Sequence, residues 1–298
     1  MKLSFFKKPS KHAESQILKL LDFEETSRVL IINVDDVGMH KSVNNAAFDL
    51  YDKGRVSSMS VMASTPATDE AIEEIKKRDI PVGVHLTLTN EWQENYPWTA
   101  VLSKNLVPTL YNSKNLLWTS VEEVVENATT QDVVKELSAQ VEKLADAGLT
   151  LSHLDTHMIF TERNQHLMDC YIKVAGKYNL PIVLQLDIDI ANYNQEAEKL
   201  KKAGFSVADS YTMLYDRKLA RENPNRRMRT YFQTIKNMPA GVHHLVIHPA
   251  MKCREQENEL FDFFLRYHDY HTFIHNKMRK LLSGFTMINY TELKNLHE

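Results

Sequence analysis

Short apolar runs alternate with amphipathic stretches along almost the whole chain, and that alternation leaves few architectures open. "RVLIINV" (28–34) reads as a buried strand and leads into "SVNNAAFDLYDKG", a helical pattern closed by Gly54. "VSSMSVMAS" reads as a strand and "ATDEAIEEIKKRD" as a helix, acidic first and basic last as the helix dipole prefers. "PVGVHLTL" (81–88) is again strand-like, and residues 131–146 carry a helical period in Val133, Val134, Leu137, Val141 and Leu144 before Gly148. "LTLSHLDTHM" (149–158) follows as a strand, then a helix at 164–178 with the strand "PIVLQLD", then a helix before "HHLVIHPA" (243–250). A last helix over 255–282 precedes "FTMINYTEL". Strand and helix in strict turn demand a parallel sheet covered by helices. With six to eight strand candidates, and neither a G-x-G-x-x-G nor a P-loop fingerprint, the expected α/β fold is an irregular (β/α) barrel, not an open doubly wound sheet. Residues 28–298 form one domain in this reading, with residues 1–27 an N-terminal extension holding an extra helix.

One segment breaks the alternation. Residues 90–119, "NEWQENYPWTAVLSKNLVPTLYNSKNLLWT", have little periodicity and hold all 3 tryptophans of the chain. So aromatic an insertion argues against disorder. Either the rings pin it to the barrel, or one or two of them offer a flat platform for a sugar.

Composition narrows the partners. A net charge of -3 gives no reason to expect nucleic acid, and the basic cluster Lys2, Lys7, Lys8 and Lys11 is too small to change that. No apolar run approaches the roughly 20 residues of a membrane span, and the start lacks the apolar core of a signal peptide. Cys170 and Cys253 lie far apart in helix-like stretches and read as reduced packing residues. The expectation is a cytoplasmic protein.

Catalytic groups of a parallel barrel collect at the C-terminal ends of its strands. The first strand ends in Asp35 and Asp36, the third in His85, "SHLDTH" supplies His153, Asp155 and His157, and a late strand supplies His248 before Pro249. Each alone has an ordinary explanation: acidic pairs sit in turns and caps, and a strand histidine is often a satisfied core residue. Together they bring carboxylates and imidazoles to one end of the barrel, a good site for a divalent cation such as zinc. Such a cation would also relieve the repulsion between Asp35 and Asp36. Adjacent residues of an extended strand point opposite ways, so the two aspartates are expected to have different tasks. His40, His243 and His244 read as structural or exposed.

"NVDDVG", "GVHLTLT", "HLDTH" and "VIHPA", in this order and spacing, resemble the YdjC-like carbohydrate deacetylases, metal-dependent hydrolases related in architecture to polysaccharide deacetylases. Asn44 in "SVNNA" and the "VSSMSVM" strand fit the same pattern. The resemblance runs from about residue 28 to near the C-terminus. It implies a deformed (β/α) barrel that removes an acetyl group from an N-acetylated mono- or oligosaccharide. By motif position, Asp36, His85 and His157 would hold a divalent metal, magnesium or zinc. Asp35 would be the general base acting on a metal-activated water, and His248 the general acid or oxyanion partner. Asp155 could orient a metal-binding histidine from behind. The family pattern continues past this last histidine with further histidines at alternate positions, whereas Met158, Ile159, Phe160 and Thr161 follow here, which bears on substrate contacts near that strand.

Two other readings remain: the same metal site hydrolysing another bond such as a phosphoester, and a catalytically silent sugar-binding protein. The identity of the sugar, its length and the oligomeric state, a homodimer included, are open at this point.

Overall fold

In the computed structural model, residues 15–186, 190–215, 223–252, 260–294 and 296 are described. Cys253, the N-terminal lysine cluster and residues 255–259 of the expected last helix lie outside them.

Among the described residues, seven strands form one sheet, all in parallel pairings. They are β1 (Arg28–Val37), β2 (Ser58–Val61), β3 (Val82–Leu86), β4 (Leu151–Thr156), β5 (Ser210–Met213), β6 (Gly241–Ile247) and β7 (Thr286–Met287). Their order is β4-β3-β2-β1-β6-β5, with β7 beside the start of β1. Helices cover the curled sheet, among them α1 (Gln16–Leu20), α2 (Lys41–Asp52), α3 (Thr68–Arg78), α4 (Val121–Asn127), α5 (Thr130–Asp146), α6 (Phe160–Arg163), α7 (Gln165–Tyr178), α8 (Ile190–Lys202) and α9 (Pro224–Lys236). This is the α/β, barrel-like architecture that strict alternation requires. Ile17 and Leu18 of α1 are buried in the same core. No helix among the described residues is long and apolar enough to cross a membrane.

The sheet is a half-barrel because one expected strand is reduced to a single rung. "PIVLQLD" pairs with β4 only through Ile182 opposite Leu154. Pro181 has no N–H to give a ladder. The Gln185 side chain stands in for the next peptide, accepting from the Thr156 N–H at 2.7 Å and donating to the Thr156 carbonyl at 3.1 Å. The expected last helix is also divided, into α10 (Phe263–Ile274) and α11 (Asn276–Leu282), with α12 (Tyr290–Lys294) after β7. His275 is extended between the two and caps the second by accepting from the Lys277 N–H.

β1 is the central strand, and Val29, Leu30, Ile31, Ile32, Val34 and Val37 are fully buried. Its exit is held firmly. Gly38 turns at φ +92, where an added Cβ would crowd the Met62 carbonyl and Thr68. Asn44 of α2 accepts from the Gly38 N–H at 2.7 Å and donates to the Ala67 carbonyl at 3.0 Å, tying the β1 exit to the start of α3. His40 caps α2 by accepting from the Ser42 N–H, and with His243 and His244 it is buried. These three are structural groups, none of them exposed. Gly83 is required by packing, since a Cβ there would overlap the His153 ring.

The aromatic insertion is pinned by its indoles. Trp98 and Trp118 donate to the carbonyls of Thr89 and Thr109, both at 2.9 Å, and the Tyr111 hydroxyl donates to the Leu102 carbonyl. Glu136 of α5 accepts from the backbone N–H groups of Val101 and Leu102, anchoring the middle of the loop from below.

Candidate active site

The C-terminal ends of β1, β3, β4 and β6 open into one pocket, lined by Asp35, Asp36, His85, His157 and His248 among others. Register brings them there. Val34 pairs with Ile247, so the next residues of β1 and β6, Asp35 and His248, emerge side by side. His85 pairs with Asp155 across β3 and β4. His157 lies one residue past β4, in a single tight turn.

Both aspartates reach the pocket, contrary to the alternation expected of an extended strand. The β1–β2 register slips between Val34 and Val37, and Asp36 takes φ +64. This bulge re-aims one side chain, the usual use of such irregularities beside active sites. A left-handed non-glycine residue is uncommon, although Asp and Asn tolerate it best.

Asp36 Oδ1 lies 3.2 Å from His85 Nε2 and 3.1 Å from His157 Nδ1. One donor atom from each of Asp36, His85 and His157 falls within 4.8 Å of the others, so these three could hold a metal ion. A second group, Asp35, His85 and Asp155, meets the same distance. Asp155 is already committed there, accepting from His85 Nδ1 at 2.9 Å, the Ser60 hydroxyl at 2.7 Å and the Asn33 amide at 3.2 Å. Asp155 therefore sits behind His85, where metal-binding imidazoles usually find a carboxylate.

Further residues that the motifs did not single out complete the site. Glu91 stands behind His157, its Oε1 2.7 Å from Nε2. Arg266 of α10, 1% exposed, donates from Nη2 to Asp36 Oδ2 at 2.8 Å and from Nε to Asp262 at 2.8 Å. Tyr215 donates to the same Asp262. Trp92 lines the pocket beside Arg266.

Each charge state has a local cause. Burial opposes ionisation of Asp36, but Arg266 and the hydrogen bonds from His157 and His85 hold its carboxyl well below the usual range. Burial also opposes a charge on His157, yet Glu91 and Asp36 on its two nitrogens push it up to about 9. His85, between Asp155 and Asp36, is raised well above the ordinary imidazole value for the same reason, against burial. Burial, with repulsion from Asp155, pushes Asp35 up to about 8. The Asn33 amide, 2.7 Å from Asp35 Oδ1, works the other way. His248, 3.9 Å from Asp35 Oδ2, is half-buried, and the loss of surrounding water keeps it neutral, down to about 3.

Buried carboxylates stacked this closely need a positive charge. As the residues stand, the protons on His85 and His157 supply it. A divalent cation could take their place, since each imidazole would keep its outer carboxylate partner while its inner nitrogen turned to the ion. Removing the partner of His157 in Glu91→Ala is expected to lower divalent-cation affinity about 10- to 100-fold, measured by calorimetric titration. An affinity equal to that of the parent protein would contradict this assignment of Glu91.

A family model described as YdjC-like protein matches residues 29–284. The chain is 26% identical to the carbohydrate deacetylase of Thermoanaerobacter pseudethanolicus over 226 residues, 75% of this chain and 81% of that one. It is 35% identical over 165 residues to carbohydrate deacetylase 1 of Listeria innocua, 53% of this chain and 62% of that one, so this second match spans less than two thirds of its relative. A crystal structure of a candidate cellobiose-phosphate cleavage protein from Enterococcus faecalis superposes with a TM-score of 0.74 at 21% identity, covering 90% of this chain and 99% of that one, a likeness of fold. The family model spans nearly the whole of the sheet, including the ends of β1, β3, β4 and β6, and the chain belongs to the YdjC-like family.

Proposed function

We propose that this protein is a metal-dependent hydrolase that removes the acetyl group from an N-acetylated mono- or oligosaccharide. The observation that carries the reading is the convergence of Asp36, His85 and His157 within 4.8 Å, at a pocket that also holds Asp35 and His248. The substrate class follows from the relatives named carbohydrate deacetylases.

Asp36, His85 and His157 would hold the cation: two imidazoles and a carboxylate suit zinc well, and the family resemblance leaves magnesium open. A divalent cation there lowers the pKa of water and polarises the acetyl carbonyl. Asp35 takes the proton from the attacking water. Burial and Asp155 push Asp35 up to about 8 in the cation-free site. A cation beside it would keep the carboxylate ionised and able to accept a proton, and the Asn33 amide fixes its orientation. His248 serves the departing nitrogen. It is neutral among its buried neighbours, so it must gain a proton before it can give one. Negative charge developing on the former carbonyl oxygen raises its proton affinity, and Asp35, 3.9 Å away, is the nearby source. The pair would thus carry one proton from water to amine.

Cation binding displaces protons. With His157 raised to about 9 and His85 also held well above the ordinary imidazole value, both imidazoles hold protons at neutral pH. Affinity is therefore expected to rise with pH, about tenfold per unit for each proton displaced, between roughly pH 6.5 and 9. The stability of the cation-free protein runs oppositely in that window. Groups whose folded pKa is raised stabilise below their unfolded value, and that contribution is lost as pH rises through the folded one. Titrations at several pH values check both, and a pH-independent affinity would contradict the assigned ligands.

The reading itself is tested by offering N,N′-diacetylchitobiose and p-nitrophenyl phosphate in parallel. Acetate release without phosphate release supports it, and the reverse supports a phosphoester hydrolase. Neither release, from protein that binds the disaccharide, supports a silent binder.

A further inference from the structure

Just past His157 the backbone takes a conformation that its residues resist. Met158 and Ile159 sit at φ +59 and φ +50, both in the left-handed region. A bulky or β-branched side chain there is a genuine outlier, and such residues persist where the surroundings hold them, often at ligand sites. Ile159 is also the N-cap of α6, and it gives that helix no side-chain hydrogen bond. Asparagine would suit both demands, since it tolerates the left-handed region and caps helices well. Isoleucine stands there instead.

Met158 and Ile159 line the pocket, and both are half-buried, so part of each side chain is open to a ligand. Met213, at the end of β5, lines the same pocket and is also half-buried. Nothing in cation binding or proton transfer calls for these three apolar side chains. Met158 and Ile159 also begin the stretch that replaces the further histidines of the family pattern. An isoleucine kept where both its φ and its cap position disfavour it is kept for what its side chain touches.

We propose that Met158, Ile159 and Met213 receive a hydrocarbon substituent of the substrate, longer than the methyl of an acetyl group. The inference rests on the carbohydrate deacetylase reading and names a substrate class within it, a saccharide bearing a short alkyl chain. That chain is carried on the amide, as a longer acyl group, or on the sugar, as a glycosidic substituent. Each methylene fully covered by these side chains favours such a substrate by roughly fourfold, and methionine adapts to the shape of what it covers. A longer acyl group leaves the reaction balanced: water adds its oxygen to the acyl carbon, the C–N bond breaks, and the nitrogen leaves with the proton.

Zinc-loaded protein offered N-acetylglucosamine, N-butyrylglucosamine and the butyl glycoside of N-acetylglucosamine tests this, with acid release and calorimetric binding both measured. One of the two chain-bearing sugars is expected to bind about tenfold more tightly than N-acetylglucosamine, and which one it is tells where the chain is carried. Ile159→Asn and Met158→Asn are expected to reduce that preference to about twofold or less. Ile159→Asn is expected to melt no lower than the parent, because the left-handed turn and the cap both gain. A preference absent from the parent, or undiminished in both variants, overturns the proposal. An Ile159→Asn variant that melts well below the parent makes the isoleucine a packing residue and overturns it too. Acetate released equally from N-acetylglucosamine and its butyl glycoside, with N-butyrylglucosamine no better, overturns the proposal and spares the deacetylase reading. A chain preference in binding with no acid released from any sugar does the reverse, and no sugar binding at all overturns both.

Discussion

Asp35→Asn is expected to lower acetate release by roughly 10²- to 10⁴-fold while leaving divalent-cation binding in place. The substitution keeps the shape of the side chain and removes its ability to accept a proton. Asp35 is not one of the three residues assigned to the cation, and its Oδ1 already accepts from the Asn33 amide at 2.7 Å, a bond that a carboxamide oxygen can keep. Stability is expected to hold or improve, because burial and the neighbouring Asp155 both work against a charge at this position. Rates, calorimetric titration and thermal melts together decide the outcome. Unchanged turnover would remove Asp35 from the base role. Loss of the cation with loss of turnover would make Asp35 a ligand instead.

The second large effect falls on stability. Arg266→Met is expected to destabilise the cation-free protein by about 3–5 kcal/mol, because it leaves Asp36 and Asp262 buried without their counter-charge. Both carboxylates are almost fully enclosed, at 1% exposure each, and both contact the guanidinium at 2.8 Å. Such a loss is a large fraction of the stability of an ordinary domain. A saturating divalent cation should recover part of it, since it supplies positive charge beside Asp36. Denaturant melts with and without zinc measure both quantities. A variant as stable as the parent would mean that the Arg266 pairs contribute nothing net, as some buried ion pairs do not.

The contrast between these two residues shows what the chain reveals on its face. Asp35, Asp36, His85, His157 and His248 sit at strand ends, and strand ends can be read from apolar runs and their punctuation. Alternation was legible for the same reason, being a property of local periodicity. That both aspartates face one pocket was not legible. It depends on the bulge in β1 and the positive φ of Asp36, which no periodicity encodes. Arg266 left only a faint trace, a cation one helical turn after Asp262 in a helix rich in aromatic residues. Its task becomes visible only when α10 packs over the end of β1. Glu91 and Trp92 were hidden differently. They open the irregular insertion, where position along the chain says little about position in space, although they follow β3 by only a few residues. The reduced rung at Ile182 was missed because an apolar run beginning with proline looks like any other strand.

The most direct test of the account is acetate release from N,N′-diacetylchitobiose by chelator-treated protein, before and after a divalent cation is restored. Release that disappears with chelator and returns with zinc or magnesium is the predicted result. Full activity in protein shown to be free of metal would contradict it.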